Sequence, residues 1–149
     1  MVSLEEGGVV TAKIIDLGLA RPVNELGSQT ALSMPGGFAG TPEFASPEQF
    51  AGVGVDIRSD LYSLGVTLWE MVTGYGLFGG RPAEIMYQHL HAPLPLEQLE
   101  GVAQPIVALI EVLLEKDPKR RFQTPGDLLK VMPTITGAID AGHAINCKA

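Results

Sequence analysis

The residues able to do chemistry collect in a few short patches. Asp16 follows the β-rich run at residues 9–15 and opens Asp16-Leu17-Gly18-Leu19-Ala20-Arg21. A carboxylate at a strand end offers oxygen to a hard cation. The same residue type also closes turns with no chemistry attached. A second patch, Gly40-Thr41-Pro42-Glu43-Phe44-Ala45-Ser46-Pro47-Glu48-Gln49, presents hydroxyls, an aromatic ring and carboxylates. A third, Asp56-Ile57-Arg58-Ser59-Asp60-Leu61-Tyr62-Ser63-Leu64-Gly65, contains Asp60, and a fourth, Asp117-Pro118-Lys119-Arg120-Arg121, is cationic. Ser28, Thr30 and Ser33 put hydroxyls on the stretch between the first two patches; each alone reads as a solvated loop hydroxyl. His89 and His91 invite a metal reading, but no third ligand stands at suitable spacing, so they read as a helix end and a solvated loop. Cys147 and His143 read as inert.

The elements that must position these patches follow from periodicity and punctuation. Residues 9–15 read as a strand. Residues 19–40 are rich in Gly, Ser, Pro and Thr without period, longer than most loops, and such loops are usually functional or disordered. Ser59 can cap a helix over 59–73, with Gly74 as its stop. Leu61, Tyr62, Leu64, Val66, Leu68, Trp69, Met71 and Val72 make that helix apolar nearly all round, the pattern of a helix buried mid-domain. A second helix fits 82–90. A third starts at Pro105, carries Ile106, Leu109, Ile110 and Leu113 on one face, and stops at Asp117-Pro118. Thr124-Pro125-Gly126-Asp127 opens a short last helix, and beyond Pro133 the sequence reads as a frayed tail.

At 149 residues the chain has the length of one ordinary domain. Apolar residues at 46% and charged residues at 18% exclude disorder throughout. A net charge of −7 argues against a nucleic-acid binder that works by neutralising phosphates. No apolar run is long enough to cross a membrane, and the first residues lack the pattern of a signal peptide. The single Cys147 fits a reducing compartment, so a cytoplasmic location is expected.

Taken in order, the four patches resemble the second half of a serine/threonine protein kinase of the kind common in bacteria, over roughly residues 9–132. The resemblance implies a mainly α fold with a small β element: the helical C-terminal lobe of the protein-kinase fold. It divides the chain into a partial kinase domain at 1–132, with an activation segment at 16–48 and a helical lobe at 49–132, and a tail at 133–149. Asp16-Leu17-Gly18 is similar to the D-F-G motif, whose Asp holds the Mg²⁺ that bridges the ATP phosphates; Leu17 replaces the usual Phe. Ser46-Pro47-Glu48 is similar to A-P-E. Glu48 and Arg121 match the pair that ties the activation segment to the helical lobe. Thr41, beside Gly40, matches the position that touches the catalytic base and the substrate hydroxyl. Phe44 lies where the family often has Tyr, in a loop at 40–46 that accepts the residue after the phosphorylated one. Asp60 matches the carboxylate that bonds the catalytic-loop backbone. Ser28, Thr30 and Ser33 become candidate phosphosites, with Arg21 as a basic partner.

Several parts of a kinase are not among these 149 residues. The Gly-rich loop over the phosphates, the strand Lys, the αC Glu and the H-R-D-x-x-x-x-N catalytic loop have no counterpart here. Residues 1–15 resemble the kinase stretch just downstream of the metal-binding Asn, so a truncated product or gene fragment beginning at Met1 is expected. ATP and Mg²⁺ belong to the complete kinase, with weak or no binding by this chain alone. The expected partners are a protein bearing Ser or Thr and the missing lobe, in cis or in trans, with no nucleic acid and no membrane segment. The competing readings are a non-catalytic docking module and a remnant without function.

Overall fold

The computed structural model describes the backbone at residues 2–4, 10–12, 33–34 and 37–38, and the chain continuously over 41–145. Two short antiparallel pairs lie in the first part. Strand β1 (Val2–Leu4) pairs with β2 (Val10–Ala12), Ser3 opposite Thr11. Strand β3 (Ser33–Met34) pairs with β4 (Gly37–Phe38). Within the strand expected at 9–15, residues 10–12 are extended. Asp16, Leu17, Gly18, Arg21, Ser28, Thr30 and Gly40 lie outside the described residues, as does Cys147.

Helices build the rest. A 3-10 turn at Pro42–Phe44 leads into α1 (Pro47–Ala51), where Pro47 occupies the first turn and the Ser46 N–H donates to Gln49 Oε1 at 2.8 Å. Helix α2 (Ile57–Thr73) starts two residues earlier than its sequence suggests. Asp56, not Ser59, is its cap and accepts from the Arg58 N–H at 2.9 Å, while the Ser59 hydroxyl is spent on a partner in α1. Gly74 ends the helix in the left-handed conformation, φ 76°, which a residue with a Cβ adopts at a cost.

Helix α4 (Gln104–Leu113) packs against α2, while α3 (Pro82–His91) packs on α1 and the turn at Pro42–Phe44. Tyr62, Val66 and Trp69 of α2 meet Ile110 of α4 and Leu114 just beyond it in one apolar cluster. The crossing is close at Gly65, where an added methyl carbon would stand 2.8 Å from Leu113 Cβ. Yet α2 is not covered all round. Asp60, Leu64, Thr67 and Met71 form an exposed stripe at helical spacing, Met71 being 74% exposed. The apolar pattern overstates the burial of α2 in this chain because nothing among the described residues packs on that stripe.

The C-terminal region corrects the sequence reading. Helix α5 runs Pro125–Ala141, straight through Pro133. Pro133 lacks the N–H that would bond back one turn, which ordinarily breaks a helix. Here Ile135 and Ala138 are buried beyond it, and Ile135 joins Leu61, Leu109, Leu113 and Leu128 in a second apolar cluster. Burial of that face outweighs the missing bond. The chain after α5 is pinned as well: the Ile145 N–H donates to Gln104 Oε1 at 2.7 Å, and Gln104 Nε2 donates to the Ile145 carbonyl at 3.0 Å.

Candidate functional site

Residues far apart in sequence converge where α1, the N-terminus of α2 and the turn after α4 meet. Arg121 follows a 3-10 turn at Pro118–Arg120, which Asp117 caps. Its guanidinium forms a two-pronged pair with Glu48, Nη1 to Oε1 at 2.7 Å and Nη2 to Oε2 at 2.8 Å. Ser59 adds a hydroxyl donor to Glu48 Oε1 at 2.7 Å. The remaining Arg121 N–H groups reach backbone carbonyls: Nε to Glu115 at 2.8 Å, Nη1 to Arg58 at 2.8 Å and Nη2 to Lys116 at 3.2 Å. All five donors of the guanidinium are thereby used. The Tyr62 ring stacks beneath it, 4.8 Å from the guanidinium carbon. Both charged side chains are buried. Burial pushes the Glu48 carboxyl up, but the hydrogen bonds from Arg121, Ser59 and its own backbone, with the Arg121 charge, outweigh it and hold the group below its ordinary value.

The segment at 41–46 lies against this knot. Thr41 is exposed and precedes the 3-10 turn, its carbonyl accepting from the Phe44 N–H at 3.3 Å. Phe44 is half-buried against the first apolar cluster. Two side chains hold the turn by its carbonyls: Ser63 Oγ donates to the Phe44 oxygen at 2.8 Å, and His89 Nε2 lies 3.1 Å from the Glu43 oxygen.

His89 stands at the helix end that its sequence suggests, but it is fully buried among the rings of Phe50, Tyr62 and Phe78, because it shares a face with the buried Ile85 one turn earlier. Burial, with the nearby Lys116 charge, pushes its ring down to about 4. His91 is exposed and packs its ring on Tyr87 at 4.8 Å between centroids. Lys116 donates to the Gln88 carbonyl at 3.3 Å and lies 4.9 Å from the Phe78 centroid; burial, then the Arg121 charge, brings its amine down to about 8.

Asp60 stands apart. It projects from the first turn of α2 on the exposed stripe, with no hydrogen-bond partner among the described residues. Partial desolvation, then repulsion from Asp56, raises its carboxyl above the ordinary range. Ser33 lies in β3. Sequence reasoning overlooked Ser59, Ser63, Tyr62 and His89 as tethers. For His89 a signal existed: Ile85 and His89 at i and i+4 lie on the helix face that is buried.

Among the described residues no group of three or more His, Cys, Asp and Glu could hold a metal ion. Asp16 has the oxygen chemistry for one ligand of a hard cation. No described helix is long and apolar enough to cross a membrane.

With this geometry in view, the comparisons with known proteins agree on one family. The chain belongs to the protein kinase domain family, whose model matches residues 1–131. Similar proteins include bacterial serine/threonine-protein kinases. It is 37% identical over 119 residues to the serine/threonine-protein kinase PknB of Mycobacterium leprae, covering 78% of this chain and 19% of that protein. Over 135 residues it is 38% identical to the serine/threonine-protein kinase pkn2 of Myxococcus xanthus, covering 87% of this chain and 16% of that one. Among solved structures, the twitchin kinase region from C. elegans matches 54% of this chain and 15% of its own, at 28% identity and a TM-score of 0.50. The chain thus spans about a fifth of the PknB relative's length, 19%. The observed helical architecture is the C-terminal lobe expected of a kinase.

Proposed function

We propose that this chain is the activation-segment and helical-lobe part of a cytoplasmic serine/threonine protein kinase. In this reading it supports phosphate transfer from ATP to protein Ser or Thr only together with an upstream nucleotide-binding part, in the same chain or a separate one. The observation that carries the reading is the buried Glu48–Arg121–Ser59 knot, which ties the end of the segment at 16–48 to the helical lobe. An arrangement with every donor used is built to hold a loop in one position, and phosphoryl transfer depends mainly on positioning and on electrostatic stabilisation.

The residues take the roles that the motifs imply. Asp16 is this chain's ligand for Mg²⁺ on the ATP phosphates. Leu17 and Gly18 complete its motif. Thr41 faces the catalytic base and the acceptor hydroxyl, and residues 40–46 with Phe44 accept the residue after the phosphorylated one. Ser28, Thr30 and Ser33 are phosphorylation sites, with Arg21 as a charge partner. Asp60 accepts from the catalytic-loop backbone once that part is present; in this chain burial, then the Asp56 charge, raises its carboxyl. The uncovered stripe of Leu64, Thr67 and Met71 is where upstream chain would pack.

The test joins residues 1–149 in frame to the Gly-rich loop through H-R-D-x-x-x-x-N portion of the PknB relative and tracks labelled phosphate onto a Ser/Thr peptide. Transfer that falls at least a hundredfold on Asp16→Asn is the expected result. Transfer untouched by that change removes Asp16 from the metal and the reading with it. The exposed α2 stripe also favours a second reading, a non-catalytic docking module, for which partner binding would survive Asp16→Asn unchanged.

A further inference from the structure

The buried His89 is connected in a way that the kinase reading does not require. Its two ring nitrogens face different elements: Nε2 lies 3.1 Å from the Glu43 carbonyl oxygen, and Nδ1 lies 2.9 Å from the Tyr62 hydroxyl. A carbonyl oxygen only accepts, so Nε2 must carry the hydrogen and donate it. Nδ1 is then the acceptor, and the Tyr62 hydroxyl donates to it. One neutral tautomer satisfies both contacts. The ring therefore bridges α3, the middle of α2 and the turn at Pro42–Phe44.

We propose that His89 is a positioning residue: it fixes the turn after Thr41 from the side of α3, and so sets how the 40–46 loop presents itself to the residue following a phosphorylated Ser or Thr. The tether itself stands on geometry alone; its bearing on substrate choice rests on the kinase reading above. Three features of the site support it. The turn is short, and its own bonds, Phe44 N–H to the Thr41 oxygen and Ala45 N–H to the Pro42 oxygen, are both long at 3.3 Å. Side-chain tethers at two successive carbonyls, Glu43 and Phe44, supply what those bonds lack. Finally, the aromatic cage of Phe50, Tyr62 and Phe78 leaves the ring no alternative orientation that keeps both bonds. Glu43 itself is exposed, so its carbonyl, not its side chain, is the group being held.

The experiment uses the full chain with two variants, His89→Gln and His89→Phe. Gln can place an amide N–H where Nε2 stands; Phe keeps ring volume and loses both bonds. Hydrogen exchange at the Phe44 and Ala45 amides is expected to quicken about tenfold in His89→Phe, the factor that about 1.4 kcal/mol of lost tethering gives, and to return most of the way in His89→Gln. Nitrogen-15 spectra of the wild-type ring should show the hydrogen on Nε2. Global stability, monitored by Trp69 fluorescence, shows whether the variants fold. In the joined kinase, His89→Phe should raise the peptide KM several-fold with kcat within about twofold, and His89→Gln should restore it. Equal exchange in all three proteins, or a ring hydrogen on Nδ1, overturns the tether whatever the enzyme does. An inactive wild-type joined protein would count against the kinase reading, while the exchange result would still decide the tether. Altered exchange with an unchanged KM would refute the link to the substrate.

Discussion

Removing the Arg121 guanidinium while keeping its stem, as in Arg121→Met, is the sharpest perturbation of the knot. It strips Glu48 of both bonds from Arg121 and leaves it the Ser59 hydroxyl and its own backbone. It also takes one hydrogen bond from each of the carbonyls of Glu115, Arg58 and Lys116. The result is a carboxylate buried without its counter-charge. Breaking a buried pair from one side costs about 3–5 kcal/mol, far more than the 0–1 kcal/mol typical of an exposed pair. Glu48→Gln strands the guanidinium instead and should fall in the same range. The double variant Glu48→Gln/Arg121→Met has no buried charge left, so its cost should be lower than the sum of the singles by about 1–3 kcal/mol. Urea unfolding monitored by Trp69, the single tryptophan and fully buried, reads all four proteins. A pH arm sharpens the result. The folded Glu48 carboxyl titrates below its ordinary value of 4.5, so its stabilisation is present above that pH and is lost as pH falls below it; Glu48→Gln should flatten that part of the curve. An Arg121→Met cost under about 1 kcal/mol, or singles that simply add, would refute the argument that the pair is buried and coupled.

The same structure carries further consequences. His89 falls from 6.5 to about 4 on folding, so the unfolded chain binds the extra proton between those values and stability drops as pH falls from 6.5 towards 4. Between pH 8 and pH 5 this amounts to about 2 kcal/mol, and thermal unfolding of His89→Gln should lack that segment. Gly65→Ala should destabilise by about 1–3 kcal/mol despite alanine's better helix propensity, because its methyl collides with Leu113; a stabilised variant would show that α2 and α4 sit further apart. Ile135→Ala should cost about 2–4 kcal/mol in urea unfolding, where a frayed tail would give no change. Asp60→Asn should slightly raise the unfolding midpoint of this chain by relieving desolvation and repulsion from Asp56, yet should slow a joined kinase in which the carboxylate has found its donors.

The mainly helical lobe was legible because its helices carry strong signals: Gly74 as a stop, prolines in the first turns, and the apolar face of α4. The resemblance to kinases implies the pairing of Glu48 with Arg121, and the structure brings them within 2.7 Å. What the sequence hid was tertiary. Ser59 looked like a cap because hydroxyls favour helix starts, but Asp56 competes with a charged oxygen, and Ser59 faces Glu48. Pro133 looked like an end because local rules count its missing N–H and do not see Ile135 burying against α2 and α4. His89 read only as a helix end, because a lone polar residue there carries no mark of the carbonyl and hydroxyl waiting for it across the fold.

The central claim, that this chain contributes one part of a two-part kinase, is tested most directly by phosphate transfer measured side by side for residues 1–149 alone and for the same residues joined to the upstream part, at equal concentration with ATP and Mg²⁺. Transfer to a Ser/Thr peptide by the joined protein, and none above background by the chain alone, is the expected result. Equal transfer by both, or none by a joined protein that is folded and binds ATP, would contradict it.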